Sequence, residues 1–112
     1  MVPKILVMKS GERVIAGMSE MTDKETGKGI CLVMKCPFIL TLNPREDGEE
    51  YSVNFSKWNP FSSQNQFNIS YDSVVSLSDV EEGILDIYLE KFNSELINEE
   101  NNAESEVDLT EE

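Results

Sequence analysis

The sequence predicts an all-β domain with one helix: a small, curled, five-stranded antiparallel barrel, a C-terminal amphipathic helix and a disordered acidic tail. Three observations carry that prediction. Short apolar or alternating runs, separated by Gly, Pro, Asn-Pro and Asp-Gly signals, fill residues 4–77. A helical apolar spacing occurs only after them, around residues 80–97. Charge is divided unevenly: residues 1–79 hold 10 acidic and 8 basic side chains, a balance of −2, whereas residues 80–112 hold 12 acidic side chains and only Lys91, a balance of −11. The expected domains are therefore a body over 1–79, a helix over 80–97 packed on it, and a tail over 98–112.

Each element has a local reason. "KILVMK" (4–9) is the short apolar run of a strand covered on both faces. Ser10-Gly11-Glu12 supplies a turn, with Gly11 free to take a positive φ. "RVIAGMSEM" (13–21) puts Val14, Ala16 and Met18 on one face, and the polar "TDKETGKG" (22–29) reads as a loop. "ICLVMKCPFILTL" (30–42) is a long extended run in which Pro37, lacking an N–H, marks a bend, a bulge or an edge. "NPREDGEE" (43–50) is a connection with two turn signals. "YSVNFSKW" (51–58) alternates cleanly, which predicts Tyr51, Val53 and Phe55 inward and Ser52, Asn54 and Ser56 outward. After the polar "NPFSSQNQ" (59–66), "FNISY" (67–71) and "VVSL" (74–77) are two short strands around an Asp72-Ser73 turn. Ser78 with Glu81, or Asp79 with Glu82, has the spacing of a capping box. Leu85, Tyr88, Leu89, Phe92 and Leu96 make the apolar stripe of the helix that follows.

Composition excludes several classes. With 39% apolar residues in 112, the chain can build one modest core, which partner subunits would supplement. No run approaches the roughly 20 apolar residues of a membrane span, and no cleavable leader is legible, so a cytoplasmic protein without membrane contact is expected. Cys31 and Cys36 lie five apart on one strand, about 16 Å along it, too far for a disulfide, and read as core residues. The chain has no His, no phosphate-binding Gly loop and no nucleophile motif. Neither an enzyme, a metal site nor a cofactor is expected.

"LVMKSGERVIAGM" (6–18) resembles the first motif of the Sm-like (LSm and Hfq) family: a strand leucine, a turn glycine, a valine three residues on, then a small and an apolar residue. "FNISYDSVVSLS" (67–78) is similar to its second motif, an apolar strand, a tight turn and a short apolar strand. Short Sm-like proteins of phage origin are the relatives this resemblance brings closest. It implies an Sm-like barrel over about 4–78, and a homo-oligomeric ring of roughly five to seven subunits. The family's capping helix precedes the barrel; here the helix near 80–97 is expected to take that role.

The resemblance also locates the candidate RNA contacts, Asp23, Lys35, Tyr71, Asp72 and Ser73. Asp23 falls one residue from the family's loop aspartate, and Thr26-Gly27 stand where its asparagine is expected. Ser70-Tyr71-Asp72-Ser73 replace the usual Arg-Gly-x-Asn, which removes most of the uridine pocket's donors. Lys24, Lys28, Lys35 and Lys57 are scattered among acids instead of forming a basic stripe. Trp58 and Phe61 read as core or interface residues ahead of base-stacking ones. Tyr51, Val53, Phe55, Trp58, Val74, Val75 and Leu77 are the candidate subunit interface, on strands that would form the two edges. An assembly or adaptor protein that binds copies of itself and an unidentified protein is the expected function. RNA binding, weak and with a divergent pocket, is the alternative.

Overall fold

A computed structural model describes residues 1–44 and 51–94. The end of the "NPREDGEE" connection, Leu96, the last turn of the expected helix and the whole expected tail lie outside the described residues. The chain divides into two compact units, Met1–Val80 and Glu81 onward. The first is a six-stranded antiparallel sheet ordered β4-β3-β2-β1-β6, with β5 also on β3.

β1 (Val2–Met8) and β2 (Arg13–Thr22) form a hairpin from Val2 opposite Met18 to Val7 opposite Arg13. Gly11 N–H donates to Met8 O and Met8 N–H to Glu12 O, a three-residue turn with Gly11 at φ 98°. That turn ends in the left-handed region, where only glycine sits without steric cost. The opening expectation holds.

β3 (Gly29–Pro44) pairs with β2 along most of its length, but its other edge changes partner midway. Leu32–Lys35 pair with β5 (Gln66–Ile69), and Phe38–Pro44 pair with β4 (Tyr51–Lys57). Between them the register jumps from Ile15/Phe38 to Gly17/Lys35, so Cys36 and Pro37 together oppose Ala16. This is a β-bulge, and Cys36 takes φ 49° to make it. Pro37 marks it because a residue without an N–H is tolerated where the ladder is already broken.

The extra residue reverses the facing of β3. Leu32 and Met34 face the core before the bulge; Ile39 does so after it. The core comprises Leu6, Met8, Val14, Ala16, Met18 and Met34, with Leu32, Ile39, Trp58, Ile69 and Val74 packed against it. Phe38 and Leu40 consequently point to the opposite face, where Ile15 is also buried. Phe55 sits across from Leu40 with its ring edge-on to Phe38 at 6.2 Å. The alternation of β4 is therefore as expected for Val53 and Phe55, half-buried on the Phe38–Ile15 face, and for the exposed Ser52, Asn54 and Ser56; Tyr51, expected inward, is exposed. Neither cysteine is in a disulfide; Cys36 is buried and Cys31 half-buried.

A 3-10 turn, Tyr71–Ser73, joins β5 to β6 (Val74–Ser78), which pairs with β1. Those strands are four places apart across β3, β2 and β1. In a flat sheet that gap is about 19 Å at ~4.8 Å per strand. A connection wound at about 2 Å per residue does not cover it. The sheet must curl. That is the expected architecture with six strands in place of five, one for each of the six extended runs read from the sequence.

In the second unit, residues 82–94 form a helix, α1. Its cap is neither Ser78, which belongs to β6, nor Asp79, which pairs with Lys4. Glu81 does the work: its carboxylate accepts the Gly83 and Ile84 N–H groups at 3.1 Å each, and its carbonyl accepts Leu85 N–H. A carboxylate there satisfies unpaired donors and meets the positive end of the helix dipole. The sheltered stripe is Ile84, Leu85, Tyr88, Lys91 and Phe92, with Leu89 exposed. It is thus rotated by about one position from the stripe expected from sequence. Tyr88 and Phe92 stack at a tilt, 6.0 Å apart.

Candidate functional site

Two turns that are far apart in sequence meet at one end of the sheet. The first is the β2–β3 connection. Asp23 Oδ1 accepts the N–H groups of Glu25 (2.8 Å) and Thr26 (3.1 Å), while Asp23 N–H donates to Lys28 O and Gly27 N–H to Asp23 O. This is a turn in which an aspartate side chain stands in for a backbone acceptor. The Thr26 N–H and then the Glu25 N–H hold the Asp23 carboxyl below the usual carboxylate range. Gly27, at φ 73°, completes the loop. Lys24 and Lys28 on this turn are offset by Asp23 and Glu25.

The second turn carries Tyr71, Asp72 and Ser73. Tyr71 Oη donates to Glu20 Oε2 at 2.6 Å, and that hydrogen bond to a carboxylate pushes the phenol up to about 12. The same hydroxyl lies so close to Gly29 that a Cβ on that residue would collide with it. Glu20 and Gly29 flank the Asp23 turn, so Tyr71 ties the second turn to the base of the first. Ser73 Oγ donates to Ser70 O at 2.6 Å, and Lys9 N–H donates to Ser73 O, which docks the turn on β1. Asp72 is exposed. Lys35 lies on β3 between Gly17 and Gln66, near the bulge and away from the paired turns.

Of the five candidate RNA contacts, Asp23, Tyr71, Asp72 and Ser73 are thus gathered and Lys35 is not. Sequence reasoning passed over Glu20 and Gly29. Parity was the available signal: Glu20 continues the Val14–Ala16–Met18 face of β2 to its mouth. The site offers acceptors that are already engaged, Asp23 by backbone and Glu20 by Tyr71. Among the described residues no group of three or more His, Cys, Asp or Glu is placed to hold a metal ion.

The candidate interface residues divide between the two ends of the sheet. Tyr51, Val53 and Phe55 lie on β4; Val74, Val75 and Leu77 lie on β6. Val74 packs toward the core, leaving Val75 and Leu77 exposed. Trp58 turns into the molecule instead, edge-on to Phe67 at 5.3 Å and donating its Nε1–H to Glu12 at 3.4 Å.

A family model, the Sm_like domain, matches residues 5–89, more than half of the chain. The chain belongs to the Sm-like domain family. No curated protein matches it. The match covers both sequence motifs, the Asp23 and Tyr71 turns, and both edge strands. No helix among the described residues is long and apolar enough to cross a membrane.

Proposed function

We propose that this Sm-like protein is a non-catalytic, cytoplasmic assembly module that closes into a homo-oligomeric ring and presents it to a protein partner. The observation that carries this reading is the sheet order, which puts β6 at one end and β4 at the other, each with one neighbour in the chain. An unpaired edge is a template for another strand. In Sm-like proteins one edge pairs with the opposite edge of the next subunit, a head-to-tail contact that closes when the rotation allows. β6, "VVSLS", carries no charge to oppose such pairing.

RNA binding is the second reading, favoured by the meeting of the Asp23 and Tyr71 turns. Its weakness is chemical. The pocket offers engaged acceptors where uridine recognition needs free donors, and the chain as a whole is −13. A polyanion is repelled by that field at low salt and finds few unopposed cations.

Native mass spectrometry of the purified protein tests both at once. We expect a ring of roughly five to seven subunits without nucleic acid; a strict monomer at micromolar concentration overturns the assembly reading. Anisotropy titrations with uridine-rich and adenine-rich oligomers should give Kd values weaker than roughly 10 µM at physiological salt. Submicromolar binding with a uridine preference replaces the adaptor reading with the RNA one.

A further inference from the structure

We propose that the loop over residues 58–65 is an intersubunit clamp, with Phe61 as the anchor that docks on the β6 edge of the next copy. This rests on the ring reading above and names the contact that would hold it.

The loop is built, not slack. It leaves β4 where Trp58 N–H donates to Pro37 O and rejoins β5 where Asn65 O accepts Cys36 N–H. Its two ends are thus pinned to adjacent residues of the bulge. Inside it, Asn59 Oδ1 accepts Phe61 N–H, Asn59 O accepts Ser62 N–H, and Ser62 Oγ accepts Gln64 N–H. Trp58 anchors its root against the core. At its tip Phe61 is 97% exposed, the most exposed large apolar side chain described. Both the core placement and a place in an interface were open for Phe61 from sequence; within one chain, the core placement is not what it adopts.

A phenyl ring held out on a pinned loop costs solvation free energy in the isolated chain, and binding recovers it. Two observations say what covers it. The loop springs from the same edge of β3 that β4 and β5 occupy, so it lies beside the edge a neighbour's β6 would approach. That β6 strand presents Val75, left without a partner at the register shift against β1, and the half-exposed Leu77, whose inner side meets Leu6, at 68% and 48% exposure. Charge agrees. Copies that each carry −13 repel, so contact is favoured where charge is absent. Residues 58–67 carry no charge, nor do 74–78. The loop's lack of Lys and Arg also disfavours a nucleic-acid strand as the occupant.

The test uses the full chain. Phe61→Ser touches no core contact, so its stability should match wild type when both are compared as dissociated subunits, below the half-assembly concentration. Its half-assembly concentration should rise at least about tenfold, the loss of one interface anchor. Gln64→Ser in the same loop should change neither. A photocrosslinker, p-benzoylphenylalanine, in place of Phe61 should join an isotope-labelled to an unlabelled subunit, mapping to residues 74–78. A ring of unchanged affinity in Phe61→Ser, or crosslinks confined to other segments, overturns the clamp and leaves the ring reading standing. A wild-type monomer overturns both.

Discussion

The two ends of the sheet are built differently. The β6 end is one short strand of five residues, uncharged, paired to β1 with a single register shift. The other end is composite: β4 and β5 share β3 in series, divided by a bulge and a pinned loop. One end is a simple edge and the other is an edge with a projection. Two unlike edges favour a head-to-tail contact over a two-fold one, because neither edge matches itself. The bulge matters here as much as the edges do. By letting Cys36-Pro37 oppose the single residue Ala16, it turns β3 over and makes room for the loop between its two partners.

Damage to the simple edge should have the largest effect. Leu77→Asp puts a carboxylate on an exposed strand of an acidic subunit, and a desolvated unpaired charge is costly in an interface. Assembly should fail, while the monomer, in which Leu77 is half covered beside Leu6, stays folded with a loss of about 1 kcal/mol. Mixing makes this sharper. Leu77→Asp keeps a good composite edge and Phe61→Ser keeps a good β6 edge, so below the concentration at which Phe61→Ser assembles alone an equimolar mixture should stop at a heterodimer. Full rings from that mixture would mean the two edges do not meet.

The composite end can be broken from inside. Trp58 roots the loop, packs on the core and reaches Phe67 and Glu12. Truncating a well-packed aromatic costs about 3–5 kcal/mol, and with part of its ring in water Trp58→Ala belongs near the bottom of that range. Chemical denaturation would measure it. We expect the lost stability to come with faster hydrogen exchange at Cys36 and along residues 58–65. A change spread evenly over the sheet would mean the loop is not held through Trp58.

These differences divide along what a sequence can say locally. The β1–β2 hairpin was legible because Gly11 sits at the one turn position that demands positive φ. The family motifs were legible for the same reason, being local patterns of strand, turn and strand over 6–18 and 67–78. Pro37 announced a break in β3 without saying what kind. That Val53 and Phe55 turn inward was legible from their alternation, but which buried face of β3 they join was not, because it depends on counting one extra residue in a different strand. The helix cap was misplaced by a neighbouring competition: Asp79 has a partner in Lys4, which leaves the N-terminal donors to Glu81. Glu20 and Tyr71 lie 51 positions apart, and only the curl of the sheet brings them together.

That last contact sets the smallest effect and the most specific one. The turn with Tyr71 joins the composite edge to the simple edge within one chain, and its hydroxyl holds the turn to β2. Tyr71→Phe keeps the ring and deletes only the hydrogen bond, so its stability loss at neutral pH should be well below that of Trp58→Ala. The signature lies at high pH. Glu20 raises the folded phenol from its ordinary value of 10 to about 12. A group whose proton is held more tightly in the folded state contributes stability that is intact below the unfolded value and is lost as pH rises through the folded one. Wild type should therefore lose this contribution between about pH 10 and pH 12, and Tyr71→Phe should show a flatter decline over that window. Tyrosinate absorbance should show a late-titrating component in wild type that disappears in Tyr71→Phe and moves down toward pH 10 in Glu20→Gln. A Glu20→Gln protein that keeps the late component would show that burial, and not the carboxylate, holds the proton.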